Sequence, residues 1–411
     1  MRASGLLVAV ALLALSCGPP PAPVARPSPV APSSPGSASS ARTLASPSPS
    51  SACVHLDTAR RYAIVWLATD SGNGQIIDGY TQVRDVTDPN NQINRYSMGL
   101  GTDTPTRFGA SPDQIVIIGQ QQAYMIRICS MIDTACPASP TCYSSKQTLF
   151  TFPATQHVLG LDLTADGSRW AYAITTWCTA TSPCASGSSP GSILYPVSIH
   201  LADAQSDVEV ARFAMVSEPG VDTGVRVEFS LDSQYLAAGV SSASGVGSDS
   251  SLRIWTLDGS LVFAAKGTQQ LAWVGQGDHL YFDDGTQATQ WPNNGTTMAI
   301  AGRMLSPQVA PGGRYLAFND GVTQPNRLLI LDTLTSRVVA VPGFGSKAAF
   351  LTDSLLHFEP QIVCNPSCPQ YGSVAPGHMA IYNLADGTTM QSDIWAIFDT
   401  WPRGNKPWGV V

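Results

Sequence analysis

The chain is 411 residues long, 44% hydrophobic and only 12% charged, with a formal net charge of −7. That length and apolar content suffice for one or two filled cores. The acidic balance, with no cluster of Lys or Arg, argues against a nucleic-acid partner, which needs a basic surface to displace phosphate counterions, and equally against a polybasic membrane-surface site.

The first predicted element is an export signal. Arg2 supplies a basic start, and Leu6 to Leu15 form an apolar run too short to span a bilayer. The run ends in LALSC, with small Ser16 directly before Cys17. This resembles the lipobox of bacterial lipoproteins, with one departure: Leu15 stands a position nearer the cysteine than usual and Ala14 takes its slot. The resemblance implies cleavage before Cys17, lipidation of Cys17, and an extracytoplasmic chain anchored to the cell membrane or envelope. The alternative is an ordinary signal peptide cut nearby. Each buried CH2 of an acyl chain contributes ~0.8 kcal/mol to such anchoring.

Residues 1–16 are thus read as signal peptide, 17–52 as lipidated cysteine and tether, and 53–411 as one folded domain. The tether is nearly all Pro, Ser and Ala, as in PPPAPVARPSPVAPSSPGSASS. Such a stretch buries too little apolar surface to offset the entropy of ordering, so disorder is expected. As polyproline II it would reach ~100 Å.

Eight cysteines follow Cys17. Cys136 and Cys142, Cys178 and Cys184, and Cys364 and Cys368 are close in sequence; Cys53 and Cys129 are left to pair with each other or with the Cys129–Cys142 group. In an exported chain these are disulfide candidates. Zinc is the rival, but no pair has the two-residue gap and matching second pair of a zinc site, and no metal or cofactor is expected.

From Leu56 onward one pattern recurs: a polar turn, then an aromatic, then small and apolar residues. In chain order the copies are LDTARRYAIVWLA from Leu56, GASPDQIVIIG from Gly109, LTADGSRWAYA from Leu163, FSLDSQYLAAGV from Phe229, GQGDHLYFDDG from Gly275, APGGRYLAFND from Ala310 and LTDSLLHFEP from Leu351. Each is followed by an apolar run, a turn and a second run, clearest in LRIWTLDGSLVFAA from Leu252. These are strand and hairpin signals, and no helical apolar period appears after the signal. A lone four-stranded sheet with two apolar faces cannot bury both, whereas a ring of them can. The fold class is therefore all-β: a β-propeller of four-stranded antiparallel blades, seven by the count of copies, with six or eight as alternatives. The tail from Asp393, carrying Trp395, Trp401 and Trp408, is expected near the ring closure. The turn-plus-strand pieces, TADGSRWAYA above all, resemble the repeats of TolB-like and WD-repeat-related bacterial propellers, and LRIWTLDG is similar to a WD-repeat hairpin strand. That resemblance covers roughly residues 53–393 and implies architecture rather than activity.

Chemistry-bearing patterns are few. Gly187-Ser188-Ser189-Pro190-Gly191 fits a nucleophile-elbow spacing but lacks the flanking strand and helix that the elbow needs. His55, His157, His200, His279, His357 and His378 are scattered, with no metal-ligand spacing. Asp166, Asp232 and Asp258 read as turn formers rather than calcium ligands. Asn294-Gly295-Thr296 matches a glycosylation sequon inside a hairpin turn. No catalytic residue is assigned. Polar residues on or beside the inner strands, Asp57, Arg107, Asp162, Glu228 and Lys347, are the ligand-binding candidates. Two functions follow as expectations: a lipid-anchored binding scaffold for a protein or an envelope or glycan ligand, or an exported lyase or hydrolase with its site in the axial funnel.

Overall fold

The computed structural model describes residues 56–70, 76–87, 95–97, 104–119, 121–128, 143–176, 185–186, 193–217, 224–240, 251–275, 277–292, 300–320, 327–342, 344–368, 372–376 and 379–402. Their regular structure is all β, in seven antiparallel sheets. The inner strands are Ile394–Trp401 in blade 1, Thr104–Phe108 in blade 2, Gln156–Leu163 in blade 3, Val225–Phe229 in blade 4, Leu271–Val274 in blade 5, Leu305–Val309 in blade 6 and Phe344–Phe350 in blade 7. Six sheets run through four strands in order from the axis outward, and blade 5 has three among the described residues. Blades 3 and 7 each carry one extra short strand, Ala185–Ser186 and Gly372–Pro376. The protein is a seven-bladed β-propeller, with one blade for each copy of the repeated turn.

The repeat folds this way because the strand after each turn is apolar on both faces. In blade 3, Trp170 and Tyr172 pack with Val116 and Ala123 of blade 2. The intervening Ala171 and Ala173 pack with Val227, Phe229 and Leu236 of blade 4. Side chains alternate across a strand, so one segment fills two interfaces. Seven apolar clusters result, one at each junction between consecutive blades. The last joins Ala349 and Leu351 of blade 7 to Ala63, Val65 and Ile397 of blade 1. Each fully buried Leu, Ile or Phe contributes ~1.5–3 kcal/mol to this packing.

Closure comes from the chain's two ends. Ile394–Trp401 pairs antiparallel with Tyr62–Asp70, setting Tyr62 opposite Trp401 and Ile64 opposite Asp399. Trp401 packs edge-on against Phe108 of blade 2 at 6.3 Å and donates its indole N–H to the Thr58 carbonyl. Trp408 and residues 1–52 lie outside the described residues, as do Gly187–Gly191, Asn294–Thr296, His55, His378 and Cys17, Cys53, Cys129, Cys136, Cys142, Cys178 and Cys184. Cys364 and Cys368 are described only in their backbone, on the strand Leu355–Cys368.

The repeated turns touch one another around one face of the disc. Ala165 N–H donates to Ser233 Oγ at 3.1 Å between blades 3 and 4. Gly275 N–H donates to the Gly313 carbonyl at 2.9 Å between blades 5 and 6. Gly312 N–H reaches Asp353 Oδ1 at 2.5 Å between blades 6 and 7, and Arg61 reaches Asp353 Oδ2 at 3.0 Å between blades 7 and 1. Gly313 is confined to glycine twice over: its φ is +75°, and a Cβ would stand 1.8 Å from the Gly275 carbonyl oxygen. Gly313→Ala should therefore cost on the order of 3 kcal/mol. Urea unfolding measures this, and an unchanged midpoint would contradict the turn-to-turn contact.

Candidate functional site

The inner strands share one register. In every blade, the third residue of the second strand faces one inner-strand residue. Those residues are Asp399, Arg107, Asp162, Glu228, Ala272, Gln308 and Ala349 for blades 1 to 7. All seven are buried, none more than 4% exposed. They form an axial ring that is ionisable over four consecutive blades and uncharged over the other three.

The charged arc is tightly paired. Arg107 Nη1 lies 2.5 Å from Asp162 Oδ1, and its Nε lies 3.9 Å from Asp399 Oδ2. The two aspartates do the same job on either side of Arg107 in the arc. Asp399 Oδ2 accepts the Phe108 N–H at 2.8 Å, and Asp162 Oδ2 accepts the Phe229 N–H at 2.7 Å. Each carboxylate thus holds its own inner strand to that of the next blade. Burial works to lower the Arg107 pKa, but the charges of Asp162, Asp399 and Glu228 outweigh it and raise it.

Glu228 is held differently. Arg226, two residues earlier on the same face of the strand, donates Nε to Glu228 Oε2 at 3.1 Å and Nη1 to the Pro307 carbonyl at 3.2 Å. Trp273 of blade 5 donates its indole N–H to the Glu228 backbone carbonyl. Desolvation pushes the Glu228 carboxyl up to about 7; Arg226 and Arg107 oppose that rise, and the Asp162 charge adds to it. Three carboxyl groups face two guanidiniums here. The cluster carries one excess negative charge when Glu228 is ionised and none when it is protonated.

On the face of the repeated turns the axis opens into a cavity of about 410 Å³, floored by Arg107 and walled by Ala165, Ser230, Asp232, Gly275 and Gly312. Four blades contribute to this wall and floor beyond blade 2, so no single segment builds it. Asp232 accepts from Ser230 Oγ at 2.6 Å and from Gln234 N–H at 3.1 Å. Asp166 makes the matching pair with Thr164 and Ser168, and the hydroxyl of Thr164 leads in lowering its pKa to about 2. Asp258 repeats the arrangement with Thr256 and Ser260. The turn aspartates thus spend their oxygens on their own turns.

The sequence candidates separate on this frame. Arg107, Asp162 and Glu228 come together on the axis. Asp57 does not: it is exposed in the turn before Tyr62, where its carboxylate accepts the Ala59 N–H. That turn precedes the second strand of blade 1, because the blade's inner strand is supplied from the far end of the chain. Lys347 lies on the inner strand of blade 7, with its side chain outside the described residues. Asp399, Arg226 and Gln308 were not foreseen. Aligning the repeats on their turns puts Gln308 in one column with Arg107, Asp162 and Glu228. Asp399 joins that column only once the closing strand is known.

The described histidines do not converge. His157 is exposed. His200 Nδ1 lies 2.9 Å from Asp207 Oδ1, and its ring stacks on Tyr172. His279 pairs with Asp278 at 3.1 Å. His357 is buried, with Nε2 donating to the Ile394 carbonyl at 2.9 Å, which ties blade 7 to the closing strand. Burial lowers its pKa to about 4. Among the described residues no three of His, Cys, Asp and Glu are grouped to hold a metal ion.

No protein-family model matches the chain, and no curated protein does. Among solved structures it is similar to the acylaminoacyl peptidase of Pyrococcus horikoshii (10% identity, 80% of this chain and 50% of that one, TM-score 0.47). It is similar also to TolB from Acinetobacter baumannii (10%, 84% and 66%, 0.40). A third is the oligogalacturonate lyase of Vibrio parahaemolyticus (9%, 82% and 79%, 0.38). The propeller assignment rests on the strand order of this chain, and these likenesses add no argument about activity.

Two outcomes test the ring. Asp162→Ala strands Arg107 and the Phe229 N–H, so it should cost about 3–5 kcal/mol in urea unfolding; a cost below about 1 kcal/mol would contradict the pairing. The second outcome concerns pH. Between pH 4.5 and about 7 folded Glu228 keeps a proton that the unfolded chain has released, so this group's contribution to stability falls as pH rises through that window. His357 acts in the opposite sense, with stability lost as pH falls from 6.5 towards 4. Glu228→Gln removes only the first. Its stability relative to wild type should improve by on the order of 2–3 kcal/mol between pH 4.5 and pH 8; a pH-independent difference would show that Glu228 titrates normally.

Proposed function

We propose that this protein is a lipid-anchored extracytoplasmic scaffold whose propeller presents its turn face to a protein, envelope or glycan partner. The anchor rests on Leu6–Leu15 followed by Ser16-Cys17, and the reach from the membrane on the Pro/Ser-rich tether. The observation that carries the binding role is the state of the axis. Its charged groups are spent largely on one another and on neighbouring backbone, with Arg107 between two aspartates and Arg226 on Glu228. Such pairing suits a rigid platform better than a reacting centre.

The second reading, an exported lyase or hydrolase, draws on Glu228. A carboxyl titrating near neutrality beneath an axial opening is what acid–base chemistry uses. Against it, Glu228 is 1% exposed and one of its oxygens is held by Arg226.

The test pairs metabolic labelling with crosslinking in the native host. A clickable fatty-acid analogue should mark the wild type and leave Cys17→Ala unmarked. A photo-crosslinker in place of Gln234 on the turn face should capture one discrete partner in the labelled protein and lose it in Cys17→Ala. Equal labelling of both proteins ends the anchor, and a labelled protein that yields no crosslink ends the scaffold.

A further inference from the structure

We propose that the rim between blades 3 and 4 docks a partner polypeptide, with an aliphatic side chain in the cleft walled by Val208, Val210 and Leu257 and a Lys or Arg beside it against Asp203 and Asp258. The proposal rests on the scaffold reading and gives its partner a chemistry and a place. The outer hairpin of blade 3 joins Ile193–Asp203 to Asp207–Ser217, and that of blade 4 joins Leu252–Thr256 to Leu261–Ala265. Both hairpins turn at the same end of the junction. Between them lies a cavity of about 220 Å³, lined by Val208, Val210, Leu257, Asp203, Asp258 and Arg169 among others. That is room for a leucine or isoleucine side chain.

Apolar surface is left uncovered there. Val208 stands opposite Leu201, and Leu261 opposite Trp255. Leu201 and Trp255 share the apolar cluster of the blade 3–4 junction, and residues directly opposed in a sheet share a face. Val208 and Leu261 are thus aimed into one junction from its two sides, yet each is 55% exposed. The hairpin ends that frame the cleft are held in place. Arg169 of blade 3 donates Nη1 to the Leu257 carbonyl of blade 4, and a Cβ on Gly259 would stand 3.5 Å from Val210. The cleft is therefore built from fixed turns of two blades, and its exposed aliphatic walls suit an aliphatic partner.

Charge chooses the partner. Asp203 accepts the Gln205 and Ser206 N–H groups, and Asp258 accepts the Thr256 hydroxyl and the Ser260 N–H. These bonds lower both pKa values, Gln205 leading for Asp203 and Thr256 for Asp258, so both stay ionised. Asp207 and Glu209 flank Val208, with His200 beside Asp207 and Arg212 on Glu209. Four carboxylates thus stand here against the two guanidiniums of Arg169 and Arg212. Arg253 lies further along the junction, over the Phe213 ring. An acidic rim around an aliphatic cleft complements a segment in which Leu, Ile or Val neighbours Lys or Arg. A second copy of this chain would bring the same acids to the contact. It would also have to pair with an edge strand whose ladder is broken at Val262, a bulge of the kind that discourages strand addition.

Titration calorimetry on the full chain at neutral pH and low salt tests this with the peptide acetyl-Ser-Lys-Leu-Lys-Ser-amide. Binding should saturate at one peptide per chain and weaken severalfold when salt is raised, since the charges are exposed. The double variant Val208→Ser/Leu261→Ser should weaken it by about tenfold or more while leaving every charge in place. Asp258→Asn, whose amide oxygen still closes the turn, should weaken it by about threefold. Leu334→Ser, at an exposed leucine of blade 6, should leave it unchanged. No saturable binding, binding retained by the double variant, or equal binding of a peptide with glutamate in place of both lysines would overturn the proposal. So would a concentration-dependent dimer in sedimentation that the double variant abolishes, because the cleft would then hold a second copy. The scaffold reading fails separately. A partner crosslinked at Gln234 and retained by the double variant sinks this site alone, whereas a wild type without any crosslink sinks the scaffold while calorimetry still reads the cleft.

Discussion

The pairing of Ile394–Trp401 with Tyr62–Asp70 is the constraint on which the rest of the molecule depends. Each blade buries two faces, and a row of seven blades would leave two of those faces in water. Joining the ends removes both at once and creates the seventh apolar cluster, where Ala349 and Leu351 meet Ala63, Val65 and Ile397. The same strand brings Asp399 to the axis, where its carboxylate reaches the Phe108 N–H and lies on one flank of Arg107. Closure of the disc and completion of the charged arc are therefore one event. His357, reaching from blade 7 to the Ile394 carbonyl, ties that event to the preceding blade.

The axis sets polar chemistry against packing. A ring of apolar side chains at the level of Asp162 and Glu228 would avoid desolvating four ionisable groups, and replacing buried ion pairs by hydrophobes is often neutral or stabilising. This chain keeps the charges and holds them with backbone N–H groups and with each other. Its seven apolar junctions supply the stability that makes this tolerable, at roughly 25 cal/mol for each Å² of apolar surface buried. The uncharged arc of Ala272, Gln308 and Ala349 leaves the ring lopsided, ionisable over four consecutive blades and uncharged over three.

Much of the architecture is legible in the residues alone. The polar turn followed by an aromatic and small apolar side chains marks each blade, since a strand buried on both faces must be apolar throughout and its turn must be tight. Trp170, Ala171, Tyr172 and Ala173 show the rule, splitting between two junctions by strand alternation. The axial site is less fully legible. Arg107, Asp162 and Glu228 stand out because ionisable residues are conspicuous inside otherwise apolar strands. Asp57 misleads, since the first copy of the turn follows no inner strand of its own and that strand arrives some 330 residues later. Asp399 is hidden for the same reason. Gln308 escapes notice because an amide in a strand carries no charge signal.

Native-state hydrogen exchange on the closing pair tests this account most directly. If the ring is joined as described, the amides of Ile394–Trp401 and of Tyr62–Asp70 should exchange with one common free energy, the two strands opening together as a single unit. Exchange of Ile394–Trp401 within seconds, while Tyr62–Asp70 stays protected, would mean that the disc is not sealed by its two ends, and the charged axis would lose its first member.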